Sequence, residues 1–322
     1  MTTQQKIQFD QVRKIVVAWS LAGVFIAVYD YFLLHSNIFV GDISEYSFAE
    51  TLLYNTLAGF LSGIGGGIYV VRLNQRVKSK PYSYGLIMGF IGFITIFISI
   101  SLLVMFITVV RYYGLDLSNA QMWAILKSQV LTTLHLKNII FWGTVITITQ
   151  FTLQISEKFG PGNLWNLLSG KYHTPQNEPR IFMFLDLKAS TTIAEKLGES
   201  TYHKFLQDVF SDITEPIVNC KAEIYQYVGD EVIISWHQDK IVDRSLCLKV
   251  FFEIENELET KKENYLQKYQ TLPQFKAGAH IGNAVAGEIG IIKRDITYSG
   301  DLLNTTARIQ GKCNELGALF LI

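Results

Sequence analysis

The chain has 322 residues, with 28 Lys and Arg against 28 Asp and Glu, so its formal charge is zero and no broad basic face argues for a nucleic-acid partner. That length accommodates about two domains, and an apolar first half gives way to a mixed second half near Phe159-Gly160-Pro161-Gly162. Cys220, Cys247 and Cys313 all fall in the second half without Cys-x-x-Cys spacing, which argues against a disulfide framework or a zinc site and fits a reducing cytosol.

Four apolar runs, residues 15–34, 52–71, 84–110 and 138–155, are each long enough to cross a hydrocarbon core. They predict a four-helix transmembrane bundle over residues 1–155. The first run exceeds the apolar core of a signal peptide, about 7 to 15 residues, and no small-residue cleavage site follows it, so it reads as a span. Lys6, Arg13 and Lys14 precede the first span, and Arg72, Arg76, Lys78 and Lys80 lie between the second and third. Asp42, Glu45 and Glu50 follow the first span without a Lys or Arg. The N-terminus and the second half are therefore expected in the cytoplasm, in a multi-pass protein of the cell's inner (plasma) membrane with the lipid bilayer as partner. Gly59, Gly63 and Gly67 put three bare positions on one helix face, for packing within the bundle or between two copies. Asp30 lies near the outer end of the first span, within reach of water, and the outer loops are too short for a ligand domain.

Residues 156–179 read as a linker, with Gly160, Pro161, Gly162, Gly170 and Pro175 around a helical candidate at 164–168. Residues 180–322 form the second domain. Strands are expected at 181–187, 223–228, 232–236 and 275–286, and helices at 191–218, 242–261 and 302–313. This is an α+β, ferredoxin-like βαββαβ pattern. In that topology the first strand lies antiparallel to the second strand of the hairpin, which brings Asp186 and Asp230 together. Crowded carboxylates repel unless a cation neutralises them, and oxygen-only ligands favour Mg²⁺ bound with triphosphate oxygens, a setting for phosphoryl transfer. The stretch 187–191 offers backbone N–H groups and a helix N-terminus to phosphate, while Ser190, Thr191 and Thr192 could equally cap that helix. Asn304 and Arg308 share one helix face, and the Arg fork suits phosphate oxygens. His280 has no second His or Cys at ligand spacing and reads as structural.

Four ordered segments carry a resemblance: Phe184-Leu185-Asp186-Leu187-Lys188-Ala189-Ser190-Thr191, Tyr227-Val228-Gly229-Asp230-Glu231, Ala277-Gly278-Ala279-His280-Ile281-Gly282 with Ala286-Gly287-Glu288-Ile289-Gly290, and Ser299-Gly300-Asp301-Leu302-Leu303-Asn304-Thr305-Thr306-Ala307-Arg308. Residues of about 180 to 322 resemble a class III adenylyl/guanylyl cyclase catalytic domain. The resemblance implies that Asp186 and Asp230, with Leu187 beside them, hold two Mg²⁺ or Mn²⁺ ions per site. Asn304 and Arg308 then come from the other subunit of a homodimer, to orient the ribose and stabilise charge on the transferring phosphate. Lys188, Ala189, Ser190, Thr191 and Gly229 belong to the substrate site, and Gln226 and Thr297 to the base. The expected reaction converts ATP to 3′,5′-cyclic AMP and pyrophosphate.

The chain departs from the family at several points. Gln226 stands where Lys or Glu is frequent, and both its amide and the Thr297 hydroxyl can serve adenine or guanine. Thr297 resembles adenine-type bacterial cyclases, so ATP is expected and GTP stays open. Ala189-Ser190 replaces a frequent Gly-Phe pair. The family usually continues beyond Phe320-Leu321-Ile322 through a strand pair carrying a triphosphate-binding Lys, so the catalytic domain is expected to be incomplete at that edge. The rival reading is a non-catalytic nucleotide-binding or scaffold protein.

Overall fold

The computed structural model describes residues 3–36, 47–77, 80–113, 124, 133–159, 166, 169–292 and 294–322. The chain forms two compact units, Met1–Pro161 and Gly162–Ile322.

The first unit contains α1 (Thr3–Leu34), α2 (Phe48–Arg76), α3 (Tyr82–Tyr113) and α4 (Thr133–Phe159). Among the described residues three helices are long and apolar enough to span a bilayer: Gln5–Leu34, Phe48–Arg76 and Leu136–Ser156. In α3 the apolar stretch described is Tyr82–Ile96, shorter than a span, although the helix covers the expected third run. The glycine seam of α2 packs inside the chain. A Cβ at Gly59 would meet the Trp19 carbonyl and one at Gly63 would lie 2.9 Å from the Val16 Cα, so α1 approaches α2 backbone to backbone. Lys137 Nζ donates to both carboxylate oxygens of Asp30, at 2.8 and 2.7 Å, which neutralises the acid at the end of α1. The helical candidate at 164–168 and most of the loop at 112–137 lie outside the described residues.

The second unit runs β1 (Gln176–Leu187), α5 (Ser190–Leu197), α6 (Glu199–Asn219), β2 (Glu223–Val228), β3 (Glu231–His237), α7 (Leu246–Thr260), α8 (Lys262–Tyr269), β4 (Phe275–Ile289), β5 (Asp295–Ser299), α9 (Asp301–Leu316) and β6 (Phe320–Leu321). The sheet order is β2-β3-β1-β4-β5 with antiparallel neighbours, and β6 pairs in parallel with the start of β4. Odd-numbered β1 residues Met183, Leu185 and Leu187 enter a core with Phe205, Val209 and Ile213 of α6 and Val250 and Ile254 of α7. Phe182 and Phe184 alternate to the opposite face, against Leu302 of α9. Helices therefore cover both faces of the sheet.

The structure departs from the sequence reading at four places. The helix expected at 191–218 breaks at Gly198, whose φ of +73° suits glycine. The helix expected at 242–261 begins four residues later, and beyond Lys261 the chain continues as α8. Strand β1 starts at Gln176, within the residues read as linker, because Glu178 and Arg180 look polar in sequence but are buried as a pair. Strands β5 and β6 were not anticipated, both being short.

Candidate active site

Even-numbered β1 residues from Arg180 through Phe182 and Phe184 lead along one face to Asp186 near the strand's end. There Asp186 lies opposite Glu231 of β3 on one side and Lys276 of β4 on the other. Gly229 and Asp230 make the two-residue turn between β2 and β3, and Gly229 takes the positive φ, +63°, that such turns demand. The pairing thus gathers Asp186, Asp230 and Glu231 at one end of the sheet. Burial, then the fields of Asp186 and Asp230, push the Glu231 carboxyl up to about 7. Lys276 Nζ stands 3.3 Å from Asp186 Oδ2 and donates to Asn314 Oδ1 at 2.9 Å.

Beyond β1 the chain turns into α5 through Ala189, which adopts the left-handed conformation at φ +56° and ψ +32°. No side chain caps the helix, so Ser190, Thr191 and Thr192 occupy its first turn without serving as caps. The Lys188 N–H is already committed to the Gln274 carbonyl at 2.8 Å, which removes it from any phosphate-binding set. First-turn N–H groups from Ser190 onward remain for an anion. The Leu187 side chain is in the core, so only its main-chain carbonyl could face an ion. Tyr202 of α6 hydrogen-bonds Ser190 and feels both Asp230 and Asp186; burial first, then Asp230, raise its pKa, with the Ser190 bond opposing.

Gln226 is exposed on β2, beside a register shift between Ile224 and Gln226. Thr297 lies on β5, and its Oγ1 is buried without a hydrogen-bond partner. These strands are opposite ends of the sheet order, yet the sheet curls until its edges meet. The Tyr298 N–H donates to Tyr225 Oη at 3.3 Å, and the two rings stand 5.1 Å apart, each packed on Phe182. The residues next to Gln226 and Thr297 are therefore in contact.

Asn304 and Arg308 are exposed on α9. This helix runs back along β4, with Leu302 against Gly282, Gln310 against Gly278, and Asn314 bonded to Lys276. At 1.5 Å per residue, Arg308 and Asn304 stand about 9 and about 15 Å up the helix from Asn314, the α9 residue level with Asp186. The chain thus assembles Asp186 with Asp230 and keeps Asn304 and Arg308 apart from them.

No family model matches the chain. Over 172 residues, 53% of the chain, it is 36% identical to adenylate cyclase 2 of Rhizobium meliloti (strain 1021). Over that stretch the chain is similar to a curated adenylate cyclase. An adenylate cyclase of Anabaena cylindrica is 25% identical over 190 residues, 55% of the chain. The chain spans 47% of the first relative's length and 36% of the second's. Among solved structures, a bacterial light-regulated adenylyl cyclase aligns at a TM-score of 0.48 with 22% identity, covering 55% of this chain and 54% of that one. The adenylyl cyclase CyaB from P. aeruginosa aligns at 0.40 with 15% identity, covering 43% and 74%.

The donor set of this second unit suits a hard cation. Its carboxylates supply oxygen only, and the Glu231 carboxyl, raised by burial first, also feels the charges of Asp186 and Asp230, which a divalent ion would offset. Among the described residues no group of three or more His, Cys, Asp or Glu side chains is arranged to cage a metal. Ions at Asp186 and Asp230 would need further oxygens, which triphosphate and water can supply. His280 lies opposite Phe182 within the sheet, away from the carboxylate end. The sequence reading missed Lys276, Glu231 and Tyr202. Glu231 could have been found from its place beside Asp230, but Lys276 and Tyr202 reach the site only through tertiary contacts.

Proposed function

We propose that this chain is a membrane-anchored adenylate cyclase that works as a homodimer, converting ATP to 3′,5′-cyclic AMP and pyrophosphate. The observation that carries this reading is the gathering of Asp186, Asp230 and Lys276 at one end of the sheet, beside the open first turn of α5. Asp186 and Asp230 hold Mg²⁺ or Mn²⁺, with the Leu187 carbonyl alongside. When bound, these ions neutralise phosphate charge and lower the pKa of the ribose 3′-hydroxyl. The N–H groups of Ser190 and Thr191 receive phosphate oxygens. Lys276, 3.3 Å from Asp186, would supply a positive charge to the triphosphate at this end of the sheet. Arg308 of the second copy brings a fork of donors to charge developing at the α-phosphate, and Asn304 orients the ribose. The separation along α9 supports a site shared between two copies. Gln226 and the unpartnered Thr297 hydroxyl read the base, adenine in preference to guanine. The four apolar runs anchor the protein, with the N-terminus and cyclase domain in the cytoplasm.

The test is product formation by the full-length protein with ATP and with GTP, in Mg²⁺ or Mn²⁺. Cyclic AMP should dominate, and Asp186→Ala or Asp230→Ala should each reduce turnover by roughly 1,000-fold or more. Turnover retained in both variants would overturn the assignment. Excess cyclic GMP would leave the carboxylate site standing and reverse the base assignment.

A further inference from the structure

Glu178 and Arg180, on the first half of β1, are buried charges outside the residues assigned to metal and phosphate. A buried ion pair is often no more stabilising than packed apolar side chains, so its arrangement is informative. Arg180 directs its donors to several strands. Nε and Nη2 donate to Glu178 Oε2 at 3.0 and 2.8 Å, Nη1 donates to Glu223 Oε2 of β2 at 2.6 Å, and Ser235 Oγ of β3 lies 3.4 Å from Nη1. The guanidinium also sits over the Tyr298 ring of β5, 5.0 Å from its centroid. Arg180 therefore touches both edges of the curled sheet, β2 and β5. Where those edges close, Tyr225 and Tyr298 are joined by a hydrogen bond, and each is one residue from a base-reading side chain.

The same pair is tied to the incoming chain. Glu178 Oε1 accepts from Lys171 Nζ at 2.6 Å and from Tyr172 Oη at 3.1 Å. The Tyr172 carbonyl accepts the Glu288 N–H at 3.0 Å, so the segment leading from the membrane helices is fastened to the end of β4 that pairs with β5. We propose that Arg180 is a positioning residue for base selection: it fixes the spacing between Gln226 and Thr297 by stapling β2 to β5, and Glu178 links that spacing to Lys171 and Tyr172. This rests on the reading of Gln226 and Thr297 as the base contacts. A buried pair kept only for stability would have no need to span both sheet edges or to take the arriving linker as a partner.

Arg180→Lys keeps the charge but replaces a fork and a stacking plane by a single ammonium, which cannot serve both edges. In the full-length enzyme, steady-state kinetics should show the KM for ATP raised about 5- to 10-fold. The ratio of kcat/KM for ATP over GTP should fall about as much, with kcat within about 2-fold of wild type. Tyr225→Phe keeps the ring and removes only the acceptor for the Tyr298 N–H, so it tests the closure even if Arg180→Lys fails to fold. Its KM and base ratio should move in the same direction by about 3-fold. Wild-type KM and base ratio in folded Arg180→Lys, or in Tyr225→Phe, would overturn the inference, as would a loss confined to kcat. Gln226→Ala and Thr297→Ala serve as controls. If neither moves the base ratio, the base reading itself fails and takes the inference with it; if they move it while Arg180→Lys and Tyr225→Phe do not, the inference alone fails.

Discussion

Glu178 offers a direct measure of how much the buried charge cluster contributes to the second unit. Burial alone would raise its pKa, but hydrogen bonds from Lys171 and Arg180 outweigh it and hold the carboxyl at about 2, against 4.5 for an ordinary glutamate. Because the folded value is the lower one, the stabilisation is fully present above the unfolded pKa. It is lost as pH falls from about 4.5 towards about 2. A shift of this size corresponds to roughly 3 kcal/mol. An independent argument gives the same scale, since stripping one partner from a buried pair costs about 3–5 kcal/mol. Glu178→Gln in the full-length protein in detergent should lower the opening free energy of β1 amides, read by hydrogen exchange, by about 3 kcal/mol at neutral pH. The gap between variant and wild type should close as acid protonates the wild-type carboxyl. A variant as protected as wild type at pH 7, or a gap independent of pH below about 4.5, would refute the reasoning.

Other perturbations probe the remaining parts of the site. An Asp186→Ala chain co-assembled with an Arg308→Ala chain should regain one intact site per dimer, up to about a quarter of wild-type activity if the chains mix at random, and no gain over either variant alone would count against a shared site. Thr297→Val removes a buried hydroxyl that has no partner, so thermal stability should hold or rise, while kcat/KM for ATP falls about 10-fold through loss of a base contact. Ala189→Gly relieves a left-handed alanine and should stabilise the turn by about 1 kcal/mol, seen as slower exchange at the start of α5; a destabilised turn would show that Ala189 is not strained.

The acidic pair was legible because its cues are local. Asp186 ends a strand whose alternating apolar residues announce themselves, and Asp230 sits in a Gly-Asp turn between two strands, so the topology forced the two towards each other. The N–H groups of α5 were only partly legible. Which of them are free depends on Lys188 pairing with Gln274, more than eighty residues along the chain. The capping alternative for Ser190 and Thr191 failed because the turn placed Ala189 at the cap position. Strand β5 stayed hidden since Asp295-Ile296-Thr297-Tyr298-Ser299 is short and polar, and it gains strand geometry by pairing with β4.

Elements with strong periodicity, the apolar helices and the buried strands, are written into the order of residues, along with the side-chain types able to handle a triphosphate. Local patterns suffice there because side-chain direction repeats with the backbone at 3.6 or 2 residues. That Lys276 faces Asp186, that the Gly59 seam closes on α1, and that both sheet edges meet over Phe182 emerge from the folded chain alone. Each depends on contacts between residues distant in the chain, where sheet curl and strand register set the distances and composition has no say.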